Sequence, residues 1–507
     1  MQVISYKLIV MLRKLFLGLI FCLVWVLSSC HDEVLTDRNA QPTIDLKGKD
    51  CYDFGTLLTG QTSATQRLMV YNRQKGTLEL QSIVLRGGAE SPFKINVDGM
   101  AGTAFERPEL LHIGKGDSLF VLMEIAAPQQ QTEREKTFED YLDITCNGHT
   151  TSILLKALAM NVEQLRDSTL TTDLRWDAQG RDKQIFGTLT IPAGITLTIA
   201  DSTTLFMHDK AAIEVQGRLV IEGSAAHPVT LIGDRTDKMF DNLYYRDMGG
   251  QWGGIRFVNG SAGNRMEHAL IKGMTDGVRL QQDAVKMQEL TTDFLSEENQ
   301  QLLIRNSTLM NADSALVYAV NSNMIVENSL LMNSGGPLLE LRGGIYDVTH
   351  CTLANYAFWT VIRGADLLLA NYAEEANKPV ENCPLYRCQL TNTLVYGRSG
   401  KDPNVDLRYR AHTSPEGVVA DSIFTYKFDH CLLHASGGSD DEDFIETIWT
   451  DDPLYKLVDM PNYICDPHLQ EESPARGKGT PKTLQRLPQD LDGKARGEKP
   501  CIGCYED

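Results

Sequence analysis

The segment from residue 304 to residue 353 decides the fold, because one short phrase returns in it at a fixed interval. The polar residue of this phrase stands at 306, 328 and 350, which gives two steps of 22 residues. A period in this range is typical of structural units that stack on one another. It predicts a solenoid, and hence a long surface in place of one compact pocket. The three copies read Ile304-Arg305-Asn306-Ser307-Thr308-Leu309, Val326-Glu327-Asn328-Ser329-Leu330-Leu331 and Val348-Thr349-His350-Cys351-Thr352-Leu353.

Three further copies of the phrase lie at 266–271, 390–395 and 428–433. Stacking of the copies predicts one interior column of apolar side chains and one ladder of polar side chains at a turn. Asparagine amides can bond to one another along such a ladder, and histidine occupies the same place in three copies, so we interpret these histidines as structural residues and not as a metal or catalytic site. The ladder is His268, Asn306, Asn328, His350, Asn392 and His430, and the expected interior column is Leu309, Leu331, Leu353, Val395 and Leu433.

The region before the ladder alternates apolar and polar residues with a period of two, at 187–199 and again at 212–221. This alternation indicates short strands with one buried face. Short strands in stacked coils satisfy each other's backbone hydrogen bonds as parallel sheets. The sequence therefore predicts an all-β chain whose larger part is a parallel solenoid.

This pattern resembles the right-handed, single-stranded parallel β-helix of pectin-lyase-like proteins over residues 165–507. The phrase Trp252-Gly253-Gly254-Ile255-Arg256-Phe257 is similar to a recurrent early motif of these domains. The segment 472–507 resembles the closing segment of bacterial surface β-helix proteins, through Ser473-Pro474-Ala475, Asp490-Leu491-Asp492-Gly493 and Ile502-Gly503-Cys504-Tyr505-Glu506. The resemblance implies that this closing segment covers the open end of the solenoid, where a sheet edge would otherwise be exposed.

Residues 42–160 predict a separate β-sandwich, because alternating apolar segments are separated there by turn residues. Short motifs occur in order, among them Asp53-Phe54-Gly55, Ser91-Pro92-Phe93 and Ile113-Gly114-Lys115-Gly116. They resemble the immunoglobulin-like domains of the abnormal-spindle/hydin type. The resemblance implies a spacer or an interaction module with no catalytic residues.

The first 30 residues have the layout of an export signal: basic residues, an apolar run from Leu15 to Leu27, and then Ser28-Ser29-Cys30. The run is shorter than the roughly 20 residues that span a bilayer. Its end resembles the lipobox of bacterial lipoproteins, which implies a signal peptide over 1–29, lipidation of Cys30 and a tether over 30–41. An acidic start to the tether resembles the surface-export signal of Bacteroidota, so we expect a lipid anchor in the outer membrane and exposure at the cell surface. An ordinary signal peptide or an uncleaved anchor is the alternative.

The formal net charge of −19 disfavours nucleic acid as a partner, because phosphate neutralisation needs basic clusters. It also makes a polyanionic ligand less natural, although a local basic groove could override the total charge. The odd number of cysteines, 11, leaves open which of them pair, with Cys383/Cys388 and Cys501/Cys504 the closest couples.

Loops that interrupt the 22-residue step are the expected place for function. Aromatic and planar polar side chains in these loops are candidates for sugar binding, and a run of aspartates is a candidate calcium site, the one cofactor that we weigh. Carboxylates at 22-residue spacing, as a lyase or hydrolase on the solenoid wall would need, are not found beyond Asp313. We expect a non-catalytic surface scaffold, adhesin or glycan-binding module, with a polysaccharide or a surface protein as partner, and keep a polysaccharide lyase or glycoside hydrolase as the alternative. The candidates are Trp359, Tyr372, Tyr386, Arg408, Tyr409 and Arg410 for the ligand, and Asp440, Asp441 and Asp443 for the metal.

Overall fold

The computed structural model describes most of the chain from residue 39 onwards. Lipidation at Cys30, the signal peptide and most of the tether lie outside the described residues, as does most of the polar stretch 281–300. No helix in the described part is long and apolar enough to cross a membrane. The described ranges are 39–46, 50–129, 134–177, 179–240, 242–283, 299–374, 379–398, 404–413, 419–420, 422–434, 439–449 and 452–507.

The described chain divides into two compact units, one formed by residues 39–129 and 135–160 and the other by residue 134 and residues 161–507. The first unit is a β-sandwich of a five-stranded sheet in the order β1-β3-β9-β5-β6 and a six-stranded sheet in the order β2-β11-β10-β4-β7. Its strands are β1 (Thr43–Asp45), β2 (Cys51–Leu58), β3 (Gln66–Tyr71), β4 (Leu78–Leu85), β5 (Phe93–Val97), β6 (Met100–Gly102), β7 (Ala104–Phe105), β8 (His112–Ile113), β9 (Ser118–Ile125), β10 (Glu135–Cys146) and β11 (His149–Met160).

Strict alternation of side chains explains why the two sheets of the first unit pack together. In β9 every second residue is buried, from Leu119 through Val121 and Met123 to Ile125, while the residues between them are partly exposed. Successive side chains of a strand point to opposite faces, so this pattern gives each sheet one apolar side. The predicted sandwich is confirmed as part of an all-β fold.

The second unit is a parallel β-helix whose 25 strands stack in register from coil to coil. Three faces run along it, and β14, β24, β27 and β29 each bend from one face to the next. The strands are β12 (Val162–Thr169), β13 (Leu174–Trp176), β14 (Asp182–Ile191), β15 (Thr196–Ala200), β16 (Thr204–Met207), β17 (Ala212–Val215), β18 (Arg218–Glu222), β19 (Val229–Gly233), β22 (Trp252–Phe257), β23 (Asn264–Glu267), β24 (Ala269–Gln281), β25 (Leu302–Arg305), β26 (Thr308–Ala312), β27 (Val317–Glu327), β28 (Leu330–Ser334), β29 (Leu339–Thr349), β30 (Thr352–Ala354), β31 (Leu367–Ala370), β34 (Leu385–Thr391), β35 (Leu394–Val395), β36 (Val405–Arg408), β39 (Phe424–Asp429), β40 (Leu432–Leu433), β41 (Phe444–Ile445) and β42 (Ile448–Trp449).

Short antiparallel hairpins and 3-10 turns project from the coils. The hairpins are β20 (Lys238–Phe240) with β21 (Leu243–Tyr244), β32 (Tyr372–Ala373) with β33 (Glu381–Asn382), β37 (His412–Thr413) with β38 (Val419–Ala420), and β43 (Tyr455–Asp459) with β44 (Ile464–Leu469). The 3-10 turns are Gly88–Glu90, Pro108–Leu110, Tyr245–Asp247, Met460–Asn462 and Pro481–Thr483.

The interior column predicted from the repeat is confirmed. Leu309 pairs with Leu331, Leu331 with Leu353, Leu353 with Val395, and Val395 with Leu433 in parallel register, and all five side chains are fully buried. Burial of such side chains contributes about 1.5–3 kcal/mol each before the entropy cost of folding is subtracted. The repeat period therefore reports the coil length directly.

All six ladder residues have left-handed backbone, with φ between 48° and 54°. Asparagine tolerates this conformation better than most residues, which accounts for its recurrence at the turn. Asn328 donates from its side-chain nitrogen to Asn306 Oδ1 at 2.8 Å, and Asn392 lies 3.0 Å from His350 Nε2. Burial lowers the pKa of His350 well below its ordinary value, so this imidazole is neutral at physiological pH.

The closing segment lies along the side of the solenoid, whereas the sequence led us to expect it over the open end. Arg496 donates to Asn328 Oδ1 at 2.7 Å, the amide of Cys504 donates to Thr352 Oγ1 at 3.0 Å, and Thr480 donates from its amide to Asn392 Oδ1 at 2.7 Å. The reason is chemical. The outer column of the third face contains Leu330 and other apolar residues, which the closing segment buries together with Leu394 and Leu432.

The cysteines form no disulfide among the described residues. All nine of them are free, including both members of the couples Cys383/Cys388 and Cys501/Cys504. Cys351 and Cys431 are fully buried in the solenoid core, in agreement with their interpretation as small core residues.

Candidate functional site

The first face of the solenoid carries an outward column of ionisable and aromatic side chains. Strand register places Glu214 beside Arg256, Arg256 beside Arg279, Arg279 beside Tyr318 and Tyr318 beside Glu340. Neighbouring strands lie about 4.8 Å apart, so each step of the column is one strand spacing. The column gives this wall a row of polar groups along the solenoid axis.

A groove of about 310 Å³ runs along part of this column, and we call it the wall groove. Its floor is formed by glycines, because Gly254 and Gly277 leave their backbone uncovered. A Cβ on Gly254 would meet the carbonyl oxygen of Gly277 at 2.2 Å, and a Cβ on Gly277 would meet that of Ala315 at 2.3 Å. The groove therefore depends on glycine at both positions. Its polar lining is Thr188, Lys210, Glu214, Arg256, Thr275, Asp276 and Arg279.

The two arginines of the wall groove lie side by side without an ion pair in the described part of the chain. Arg279 donates to Ser314 Oγ at 2.8 Å, and its guanidinium carbon lies 4.8 Å from the centre of the Tyr318 ring. Burial lowers the pKa of Arg279, and the neighbouring positive charge of Arg256 acts in the same direction. Arg256 is exposed. Two adjacent cations of this kind favour an anionic group between them.

Two carboxylates share the wall groove with these cations. Glu214 accepts a hydrogen bond from Gln216 Nε2 at 2.8 Å, while Asp276 is exposed at the turn that joins the third face to the first. The lining thus combines acidic, basic and hydroxyl groups, which is the composition of a site for a hydroxyl-rich ligand.

A second cavity of about 670 Å³ lies on the other side of this turn, and we call it the aromatic cavity. Trp359, one of the sugar-binding candidates, lies in its wall and donates from Nε1 to Asp313 Oδ1 at 2.9 Å. Asp313 and Ser314 are consecutive, so the turn that holds Trp359 also holds Arg279 of the wall groove. The lining is Met239, Phe240, Leu243, Met248, Gly249, Asp313, Phe358, Trp359, Thr360, Arg363 and Tyr463.

The other sequence candidates for ligand binding lie apart from Trp359. Arg410 lies with its guanidinium 5.8 Å from the ring centre of Tyr372, and it pairs with Glu374 at 3.4 Å. Arg408 is paired with Asp406 at 2.8 Å. Tyr409 is 58% exposed and lies 6.1 Å from the ring of Phe424.

Tyr386 lines a separate cavity of about 390 Å³ together with Asp443, Lys427 and Arg387. This cavity brings a ligand candidate and a metal candidate together, although the sequence placed them in different loops.

The aspartate run does not form a metal site in the described structure. Asp441 Oδ1 accepts the amides of Asp443 at 2.8 Å and Phe444 at 3.0 Å, and Asp440 Oδ1 accepts the amide of Thr447 at 3.1 Å. The carboxylates thus bond to the turn of their own loop, as aspartate commonly does. Within residues 39–507, leaving out the undescribed gaps, no three acidic, histidine or cysteine side chains converge in the manner of a metal site.

The wall groove was missed from the sequence because insertions change the spacing of its residues. Positions 214, 256, 279, 318 and 340 are separated by 42, 23, 39 and 22 residues, although their strands are in register. The glycines of the Trp252–Phe257 phrase were the available signal, since they mark a place where the backbone is left bare.

No family model matches this chain, and no curated protein matches it either. Solved structures with a partial likeness include the catalytic domain of a GH87 α-1,3-glucanase in complex with tetrasaccharides, at 9% identity over 75% of this chain and 88% of that chain, with a TM-score of 0.18. A family 123 glycoside hydrolase from Clostridium perfringens is 7% identical over 25% of this chain and 26% of its own, with a TM-score of 0.17. The Vibrio cholerae VesB protease is 13% identical over 24% and 32%, also with a TM-score of 0.17. The chain thus spans about a third or less of the protease and of the family 123 enzyme. The function has to be argued from the site itself.

Proposed function

We propose that this chain is a lipid-anchored envelope protein whose β-helix binds an acidic polysaccharide in the wall groove without cleaving it. One observation carries the choice of ligand: Arg256 and Arg279 lie on adjacent coils at the groove, and neither is ion-paired among the described residues. A guanidinium binds a carboxylate through two parallel hydrogen bonds, so a uronate-containing glycan fits this pair. A regular coil spacing also suits a ligand that repeats along its length.

The groove proposal predicts that Arg256→Ala and Arg279→Ala each weaken binding of polygalacturonate by about tenfold, because each removes one charge-assisted contact of about 1.4 kcal/mol. Affinity electrophoresis of the 31–507 protein in gels containing the polysaccharide measures this effect. Arg175→Ala is the matched control, since Arg175 is an exposed arginine of the second face paired with Glu222 at 2.9 Å. Equal migration of all three variants with the unsubstituted protein would reject the groove as the site.

A glycoside hydrolase is the second candidate, because Glu214 and Asp276 line the same groove and hydrolysis needs two carboxylates. Release of new reducing or unsaturated ends from the bound polysaccharide would establish catalysis, and retention without release supports the binding function. If ends are released, Glu214→Gln tests whether this carboxylate takes part.

The lipid anchor rests on the Leu27-Ser28-Ser29-Cys30 phrase. We expect Cys30→Ala to abolish labelling by a fatty-acid analogue and to move the protein from the membrane to the soluble fraction. Unchanged labelling and fractionation would contradict lipidation at this cysteine. Attachment by acyl chains would leave the whole β-helix free to meet an extended polysaccharide.

A further inference from the structure

The aromatic cavity contains a row of four rings that the wall groove does not use. The ring centres of Phe240 and Tyr463 are 6.4 Å apart at an interplanar angle of 17°, those of Tyr463 and Phe358 are 4.5 Å apart, and those of Phe358 and Trp359 are 5.1 Å apart. Three separate segments supply them: the β20–β21 hairpin, the loop after β30 and the turn before β44. We call this row the aromatic platform.

The platform is open to solvent at one end. Phe240 is 53% exposed and Tyr463 is 36% exposed, and Met239 beside them is 42% exposed. Large apolar side chains exposed as a group mark a binding surface more often than isolated ones do. Exposed rings of this kind offer flat faces to a ligand.

The segments that carry the platform are tied to each other and to the coils. Asn242 Nδ2 donates to the carbonyl of Asn462 at 3.3 Å, which joins the hairpin that bears Phe240 to the turn that bears Tyr463. Trp359 is held by Asp313, and Asp313 is held in turn by its amide, which donates to the carbonyl of Met274 at 3.1 Å. The rings are therefore positioned before any ligand arrives, which lowers the entropy cost of binding.

Polar groups stand at the edge of the rings. The carboxylate of Asp313, the hydroxyl of Thr360 and the exposed guanidinium of Arg363 all line the aromatic cavity. Their charges balance, because one carboxylate is matched by one guanidinium, in contrast to the wall groove with its adjacent arginines. Apolar rings with a few convergent hydrogen-bonding groups are typical of small-ligand pockets, and 670 Å³ lies within their usual volume.

We propose that the aromatic cavity is a second glycan site, which binds one or two neutral pyranose rings by stacking on the aromatic platform. A pyranose has an apolar face of C–H groups that matches an aromatic ring, and a rim of hydroxyls that matches the carboxylate, hydroxyl and guanidinium at the cavity edge. A uronate is disfavoured here, because Asp313 would repel its carboxylate. The site is independent of the proposed function of the wall groove, since the two take different sugars.

The test compares the 31–507 protein with three variants in gels containing neutral polysaccharides (cellulose-derived β-glucan, xyloglucan, galactomannan) and in a gel containing polygalacturonate. The double variant Phe240→Ala/Tyr463→Ala removes two rings that are already exposed, so it should fold normally. Val361→Ala is the matched control, because Val361 is 75% exposed in the same loop as Trp359 and does not line the cavity. Trp359→Phe keeps the ring but removes the hydrogen bond to Asp313.

We expect the unsubstituted protein to be retarded by at least one neutral polysaccharide. The double variant should lose at least tenfold in that affinity, as aromatic anchors of binding sites commonly do. Trp359→Phe should lose less, Val361→Ala should behave as the unsubstituted protein, and retardation by polygalacturonate should be unchanged in all three.

Retardation of the double variant equal to that of the unsubstituted protein would overturn the aromatic cavity as a glycan site and leave the wall groove unaffected. No retardation of the unsubstituted protein by any neutral polysaccharide would overturn it as well. A double variant that changes the sedimentation coefficient, with sugar binding unaltered, would assign the platform to contacts between two copies of the chain. Loss of neutral-glycan binding in the double variant, together with polygalacturonate binding that Arg256→Ala leaves intact, would support the aromatic cavity and reject the wall groove.

Discussion

Replacing Arg496 by alanine should lower the free energy of unfolding of the β-helix by about 3 kcal/mol, because the substitution strands a buried charge and opens the closing segment. The Arg496 side chain is fully buried, pairs with Glu506 at 3.4 Å and donates to Asn328 Oδ1 at 2.7 Å. Its guanidinium also donates to the carbonyls of Gly503 and Cys504, both at 3.3 Å. Few side chains in this unit connect so many backbone groups of the closing segment to a coil.

Urea unfolding followed by circular dichroism measures the effect of Arg496→Ala. Lys494→Ala is the control, because Lys494 is exposed and lies two residues away on the same segment. We expect a lower midpoint for Arg496→Ala and an unchanged midpoint for Lys494→Ala. Equal midpoints for the two variants would mean that the closing segment adds little to the stability of the coils that it covers.

Replacing Asp366 by asparagine should stabilise the protein at alkaline pH. Asp366 is fully buried next to β31, its Oδ2 accepts a hydrogen bond from Asn404 Nδ2 at 2.8 Å, and its Oδ1 has no partner among the described residues. Burial raises the pKa of this carboxyl to about 8. The protein therefore holds an uncharged carboxylic acid in its interior at neutral pH.

The pH dependence follows from this raised pKa. An aspartate in the unfolded chain titrates near pH 4, so the folded state binds one proton more than the unfolded state between about pH 4 and pH 8. The stabilisation by protonated Asp366 is complete below pH 4 and is lost as the pH rises through 8, a loss of roughly 5 kcal/mol across this window. Asparagine has nearly the same shape and carries no titratable group, so Asp366→Asn should remove this slope.

Urea midpoints between pH 5 and pH 9 check the prediction. The unsubstituted protein should become less stable as the pH rises, and Asp366→Asn should change less over the same range and exceed it at pH 9. Asp209→Asn serves as the control, because the Asp209 side chain is 69% exposed. A variant with the same slope as the unsubstituted protein would contradict a protonated Asp366.

The sequence predicted the parallel solenoid well because the coils at 306, 328 and 350 have equal length. Equal length turns stacking in space into a period along the chain, and the interior column from Leu309 to Leu433 could be read from it. The placement of the closing segment could not be read in the same way. It depends on an apolar outer column whose residues look the same in sequence as those of the inner one.

The candidate sites were only partly predictable. Trp359 was recognised as an aromatic residue in an inserted loop, but Phe240 and Tyr463 come from distant parts of the chain and share no motif with it. Arg256 and Arg279 were missed because insertions separate coils that are adjacent in space. Side chains that converge from different coils become visible only when the register of the strands is known.

The left-handed ladder turn has a consequence for how this protein can diverge. The intervals between successive ladder residues are 38, 22, 22, 42 and 38 residues, yet the backbone φ at every one of them falls within the same few degrees. Each turn therefore brings the chain back to the same register, whatever length of loop came before it. Insertions can grow, shrink or change composition between two turns without disturbing the coils on either side. The solenoid can accordingly acquire new binding loops one at a time, with the polar turn acting as the fixed boundary between an unchanging core and a freely varying surface.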